Sequence, residues 1–283
     1  MNEQDRYHVH IEAGASPLSL NLKEVWKYRD LVVLLTKRNF SLIYKQTVLG
    51  PLWVVLNPLL TSIVYTVVFG EMAGLSTGGV PKILFYLCSH ALWRFFADCL
   101  NRNTETFISN ARVFGKVYFP RLTVPLSTML YSGIRFLVEM GLVAVLILWF
   151  LFRGEVRPAW ALLPVLLPVV AVTGLLGLSM GILISSVTTR YRDLRLLVSF
   201  GMQLWMYASP VIYPVSQISG GLWRTVLELN PMTAPMEIFR LCVLGSGTVT
   251  VRSVISTVVS FFVIVPVSMM LFNRVERNFI DTV

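Results

Sequence analysis

An all-α integral membrane protein is the fold class this sequence predicts, and three observations predict it. Hydrophobic residues fill 55% of the 283 positions, charged residues only 14%, and the mean hydropathy is +0.69. An average soluble domain carries about 25% charge, so this chain lacks the polar side chains to clothe a globule in water. Its apolar residues fall in six runs close to the ~20 residues that cross a hydrocarbon core, and its bases gather between those runs. The formal charge of +9 is therefore read as loop charge facing anionic headgroups. No basic stripe interleaved with exposed aromatics points to nucleic acid.

Residues 1–50 are expected to be a hydrated N-terminal segment, and 51–283 the membrane domain. The first 30 residues contain no apolar core, so insertion through the first span, without a cleaved leader, is expected. Asn21 and Glu24 form a capping pair at a helix start. From residue 22 to about 46, Trp26, Leu31, Leu34, Leu35, Ile43 and Tyr44 alternate with charged residues, the pattern of a helix lying in the interface plane. Leu49-Gly50-Pro51 turns the chain into the bilayer.

The six spans are placed at about 52–70, 83–100, 124–152, 160–187, 196–215 and 254–272. The third is overlong and must tilt or protrude. Before the last span, the stretch 216–251 is broken by Gly220, Gly221, Pro231, Pro235, Gly245 and Gly247. It is too interrupted to cross as one helix and too apolar for an ordinary aqueous loop. Two short helices, 221–229 and 234–244, meeting at Asn230-Pro231, predict a re-entrant hairpin on the exterior side, with an amphipathic surface loop as the alternative.

Orientation follows from the bases. An inside N-terminus gives the cytoplasm Arg6, Lys23, Lys27, Arg29, Lys37, Arg38 and Lys45, then Arg102, Arg112, Lys116 and Arg121. It also receives Arg190, Arg192, Arg195, Arg274 and Arg277. The exterior receives Lys82, Arg153, Arg157, Arg224, Arg240 and Arg252, while Arg94 and Arg135 lie within spans. This asymmetry obeys the positive-inside rule and puts both termini in the cytoplasm.

No catalytic machine is legible. A GxxxxGK[ST] phosphate loop is missing, as are HExxH, GxSxG and a carboxylate pair, so catalytic residues are expected to be none. Cys88, Cys99 and Cys242 have no metal-ligand spacing and read as packing residues; no metal site is expected.

Polar residues inside the spans carry the functional reading. His90, Arg94 and Asp98 recur at i, i+4, i+8 along one face of the second span, and Arg135 and Glu139 repeat the i, i+4 spacing in the third. Intramembrane charges face a bundle interior or a wet cavity. They form either a polar channel wall or a structural salt-bridge network, for example Asp98 with Arg135. Trp93, Phe96, Tyr131, Trp205, Tyr207 and Tyr213 are candidates for a lining along which apolar sugar faces slide; packing and interface anchoring are the alternatives. Gly174, Gly177 and Gly181 form a small-residue face for close helix packing.

Several separated blocks carry a resemblance. Tyr44-Lys-Gln-Thr-Val-Leu49-Gly50-Pro51-Leu-Trp53 with Asn57-Pro58, and Lys116-Val-Tyr118-Phe119-Pro120-Arg121 with Pro125, come first. Arg192-Asp193-Leu-Arg195, Ser209-Pro210-Val-Ile-Tyr213-Pro214 and Asn230-Pro231-Met-Thr follow in order. Together, over nearly the whole chain, they resemble the permeases of polysaccharide-exporting ABC transporters, which export O-antigens, capsules and teichoic acids. The resemblance implies a homodimeric channel in the cytoplasmic (inner) membrane and a lipid-linked glycan as cargo. It also implies two separate ATPase subunits carrying the ATP and Mg, with no cofactor on this chain. The cytoplasmic loop 101–121 would receive force through Thr104, Glu105, Phe107 and Ile108, and loop 188–195 through Tyr191, Arg192 and Asp193. Channel-lining residues would be His90, Trp93, Arg94, Asp98, Tyr131, Arg135 and Tyr207. The exterior gate would comprise Pro210, Tyr213, Pro214, Asn230 and Pro231. His90 and Arg94 depart from the small or uncharged residues expected of the family. Rival readings are an ABC permease for a drug, haem or another lipid, and a polytopic glycosyl- or acyltransferase. An ion-coupled secondary transporter is a third, though no inverted repeat relates the halves.

Overall fold

The computed structural model describes residues 22–44, 48–106, 110, 119–188 and 194–281, and no strand occurs among them. Helix α1 (Leu22–Lys27) and α2 (Arg29–Tyr44) are separated by a turn at Tyr28, so the single amphipathic helix expected there is two. One face, with Tyr28, Leu31 and Leu35, joins a cluster around Phe119, Val124, Leu178, Ile182 and Phe272. Thr36 donates its hydroxyl to Ser127 O at 3.2 Å.

The 3₁₀ turn Gly50–Leu52 leads into α3 (Trp53–Tyr65), and the π-helical turn Thr66–Met72 extends it. Then come α4 (Lys82–Asn103), α5 (Thr123–Phe152), and α6 (Leu163–Thr188) behind the 3₁₀ turn Trp160–Leu162. Next are α7 (Leu194–Tyr207), α8 (Leu222–Leu229), α9 (Thr233–Leu244) and α10 (Val251–Asp281). Among the described residues, five segments are long and apolar enough to cross a membrane: Gly50–Met72, Lys82–Asn103, Thr123–Phe152, Trp160–Ser186 and Val251–Arg274. They match five of the six expected spans to within a few residues.

The fifth expected span, 196–215, is different. Helix α7 has only 14 residues and stops at Tyr207. At 1.5 Å per residue that is roughly 21 Å, short of the ~30 Å hydrocarbon core. Ser209-Pro210 is the physical reason: proline removes a backbone donor and disfavours helical dihedrals in the residue before it. From 208 to 214 the chain runs irregularly into a 3₁₀ turn at Val215–Gln217.

Helix α4 is the axis of the fold. Of its apolar window 72% is buried, against 17–33% in the other four long segments. It packs most extensively on α6 and α5, and it also meets α3, α7 and α9. The α6 contact is close because of the glycine face expected from the sequence. A Cβ on Gly177 would lie 2.7 Å from Phe96 O, and one on Gly181 would lie 2.5 Å from Leu100 O. Here the two helices touch backbone to backbone, as small-residue faces allow.

Candidate functional site

The central burial of α4 brings its polar stripe against α5. Arg135 Nη1 lies 2.7 Å from Asp98 Oδ2, and Arg94 Nη1 lies 3.4 Å from Glu139 Oε1. The i, i+4 spacings on the two helices thus interlock as two ion pairs, one of them the Asp98–Arg135 pair named from sequence. An ionised carboxylate in an apolar interior is costly unless a counter-charge and hydrogen bonds meet it. The seam is not sealed. The side chains of Arg94 and Asp98 keep 18% and 26% of their exposure, while Glu139 keeps 2%. His90 stands half-buried at the stripe's end with its ring edge-on to Tyr65, centroids 5.8 Å apart. His90 Nδ1 and Glu139 Oε2 are buried with no hydrogen-bond partner among the described residues.

A double-mutant cycle on Asp98→Asn and Arg135→Gln tests whether the pair is coupled. The expected coupling is about 1–2 kcal/mol, within the range of contacting polar pairs, read from unfolding of the purified protein in detergent. Additive effects would show that the two side chains are neighbours without being partners.

The aromatic candidates separate into two groups. Trp93 and Tyr131 are 4% and 0% exposed, so within one chain they are core residues. Trp93 stacks edge-on with Trp205 (5.9 Å), and Phe96 also meets Trp205 (5.2 Å). Tyr131 is held by Phe40 at 4.6 Å and by Arg102, whose guanidinium lies 4.5 Å over its ring. The cause is again the enclosure of α4, which surrounds its aromatics on nearly every side. Tyr207, at the end of α7, is exposed, and Tyr213 donates its hydroxyl to Tyr207 O at 2.9 Å.

The residues assigned to a gate do come together. Asn230, between α8 and α9, donates through Nδ2 to Ala208 O (3.0 Å) and Ser209 Oγ (2.8 Å). Its Oδ1 accepts from Trp205 Nε1 (3.2 Å) and the Met232 amide (3.0 Å). One amide side chain thus fastens the end of α7 to the α8–α9 hairpin. Pro210 and Pro214 are buried in the segment so fastened, and Pro231 O accepts from Thr257 on α10 at 2.8 Å.

Sequence reasoning missed what lies beneath. Arg240, counted above among exterior loop bases, is 1% exposed, and its partner Glu237 is 0% exposed. Arg240 pairs with Glu237, donates to Pro210 O at 2.6 Å and Ser89 Oγ at 3.2 Å, and covers the Phe85 ring at 4.8 Å. Glu237 accepts from the Val215 amide at 3.0 Å and the Thr248 amide at 2.7 Å. The signal was an i, i+3 acid–base pair inside an apolar helix, where lone charges are rare.

At the other end of α4, Thr104 is buried and donates to Asn101 O at 2.6 Å, while Glu105 is half-buried. Phe107, Ile108, Tyr191, Arg192 and Asp193 lie outside the described residues. No group of three or more His, Cys, Asp or Glu side chains among the described residues is arranged to hold a metal ion.

The family model for the ABC-2 type transporter matches residues 30–244, from the start of α2 to the end of α9. The chain belongs to this family. It is therefore a multi-pass membrane transporter subunit, which sets aside the membrane-transferase and secondary-transporter readings. Similarity also extends to individual relatives. An O-antigen export system permease protein RfbA of Klebsiella pneumoniae is 26% identical over 271 residues, covering 93% of this chain and 99% of that protein. A protein of the same name from Myxococcus xanthus is 29% identical over 222 residues, covering 77% of this chain and 82% of its own length.

Proposed function

We propose that this chain is the membrane subunit of an ABC exporter that moves a lipid-linked polysaccharide across the cytoplasmic membrane, driven by a separate ATPase. The observation that carries the reading is similarity along nearly the full length of a protein named as an O-antigen export permease. The ordered motif blocks agree with it. Two copies of the chain form the passage, and two ATPase subunits bind ATP and Mg on the cytoplasmic side, where both termini lie. The short α7 and the irregular segment after it make a sixth crossing, and the α8–α9 hairpin re-enters the membrane from the exterior. In this arrangement Pro210, Tyr213, Pro214, Asn230 and Pro231 form the exterior gate. The accessible edge of the charged seam, with His90, Arg94, Asp98 and Arg135, faces the passage together with Tyr207. Trp93 and Tyr131 then act on the lining from behind, by fixing α4 and α5. Loops 101–121 and 188–195 receive the ATPase stroke through Thr104, Glu105, Phe107, Ile108, Tyr191, Arg192 and Asp193.

The test is co-purification of the tagged chain with its ATPase partner, followed by hydrolysis assays in lipid with and without lipid-linked glycan. A two-plus-two complex whose hydrolysis rises severalfold with the glycan is expected. A stable complex indifferent to glycan would redirect the reading to a lipid, drug or haem cargo. A monomer that recruits no ATPase would overturn it.

A further inference from the structure

At the hairpin end of the bundle, α8 and α10 begin beside one another over a cleft of about 400 Å³. Gly220, Gly221, Arg224, Glu228, Val251 and Arg252 contribute to its walls. The Glu228 side chain is 7% exposed and sits between two guanidiniums: Arg224 Nε lies 3.1 Å from Oε1, and Arg252 Nη1 lies 3.8 Å from Oε2. The arginines themselves are open to solvent, with side-chain exposures of 37% and 75%. Glu228 therefore holds two cations at the cleft while neutralising only one of them.

The backbone adds donors of the same sign. Helix α8 has no side-chain cap, and Gly221 precedes it at φ 94°, a conformation open to glycine. A Cβ at Gly220 or Gly221 would meet nothing within 4 Å, so the first turn of α8 is bare. In α10, Thr250 Oγ1 accepts the Ser253 amide at 3.3 Å, and the amides of Val251 and Arg252 have no acceptor within the helix. Planar guanidinium forks beside helix N-termini suit phosphate oxygens.

A second feature points to an apolar tail. Val251 in the cleft is followed at i+3 and i+7 by Val254 and Val258, on the same face of α10. Those two, with Phe261 on the same helix, line a separate groove of about 330 Å³ between α6, α9 and α10, with Val169, Pro235 and Ile238 opposite. At 1.5 Å per residue the groove begins roughly 5 Å below the cleft.

We propose that cleft and groove together are a binding site for an anionic membrane phospholipid, its phosphodiester between Arg224 and Arg252 and one acyl chain along Val254 and Val258. The net charge of the cleft, two arginines against Glu228, is +1 and balances one phosphodiester rather than a diphosphate. The site stands on this geometry and does not require the cargo proposed above.

The experiment measures binding of dihexanoyl phosphatidylglycerol to the purified full chain in detergent, beside inorganic phosphate and farnesyl diphosphate. Arg252→Gln, on an exposed side chain that leaves the fold intact, is expected to weaken the phospholipid about tenfold, in keeping with loss of a charge-assisted hydrogen bond. Arg224→Gln should act alike, Glu228→Gln should tighten binding, and Val258→Trp should weaken the phospholipid by filling the groove. Binding unchanged in Arg252→Gln and Glu228→Gln would overturn the site. Equal affinity for inorganic phosphate would overturn the role of the groove, and tighter binding of farnesyl diphosphate would overturn the phosphodiester assignment.

Discussion

Replacing Arg240 by methionine is expected to lower stability by about 3–5 kcal/mol, the cost of leaving a buried carboxylate without its partner. Domain stabilities are about 5–15 kcal/mol, so much of the protein should lose its monodisperse, folded form in detergent. The loss is large because Arg240 is not one arm of a simple pair. It ties the Pro210 carbonyl, Ser89 on α4 and Glu237 on α9 into one buried knot. Glu237 extends that knot to the Val215 and Thr248 amides. Adding Glu237→Gln to Arg240→Met should restore part of the stability, since a neutral amide keeps an acceptor for those amides and buries no charge. Thermal unfolding of the parent and the two variants decides the matter. A single Arg240→Met that melts with the parent would show that the knot holds nothing.

Leucine at Gly181 should be as damaging by a different route. Its Cβ would stand 2.5 Å from Leu100 O and 2.7 Å from Asn103 Cβ. The first obstacle is backbone, so α4 itself must move, and with it the seam to α5. Overpacking a core typically costs about 1–3 kcal/mol; with backbone in the way at least the top of that range is expected. Gly141→Ala in α5 is the control. Its Cβ would meet nothing within 4 Å, and alanine in a helix interior gains roughly 0.5–1 kcal/mol over glycine. Unfolding in detergent should therefore separate the two glycines by several kcal/mol. Equal effects would refute backbone-to-backbone contact between α4 and α6.

The sequence disclosed some of this architecture and hid the rest for identifiable reasons. The long apolar runs, the glycine face and the breaks at Asn230-Pro231 and Gly245 are local, and each has a single physical consequence. The hairpin helices accordingly fall within a residue of expectation, at 222–229 and 233–244. The end of α7 was overrun because hydrophobicity continues to Val215, whereas backbone geometry changes at Ser209-Pro210. Among site residues, Asp98 and Arg135 were readable as a pair because charge in an apolar helix demands a partner. For Trp93 and Tyr131 the residue pattern left lining and packing both open, since only assembly reveals that α4 is enclosed. Arg240 was misplaced by the same ignorance: counting bases between runs cannot distinguish a solvated arginine from one on the buried face of a hairpin helix.

The enclosure of α4 also bears on how the chain enters the bilayer during synthesis. This helix carries His90, Arg94 and Asp98, and a charged residue at the centre of an inserting segment costs about 2.5–3.5 kcal/mol each. Its neutralising partners, Arg135 and Glu139, are made some forty residues later, on α5. Net charge already cancels within each helix, Arg94 against Asp98 and Arg135 against Glu139, but both ion pairs run between the helices. The α4–α5 hairpin is thus the smallest unit in which each charge has its partner, and the two spans are expected to partition into lipid as a pair.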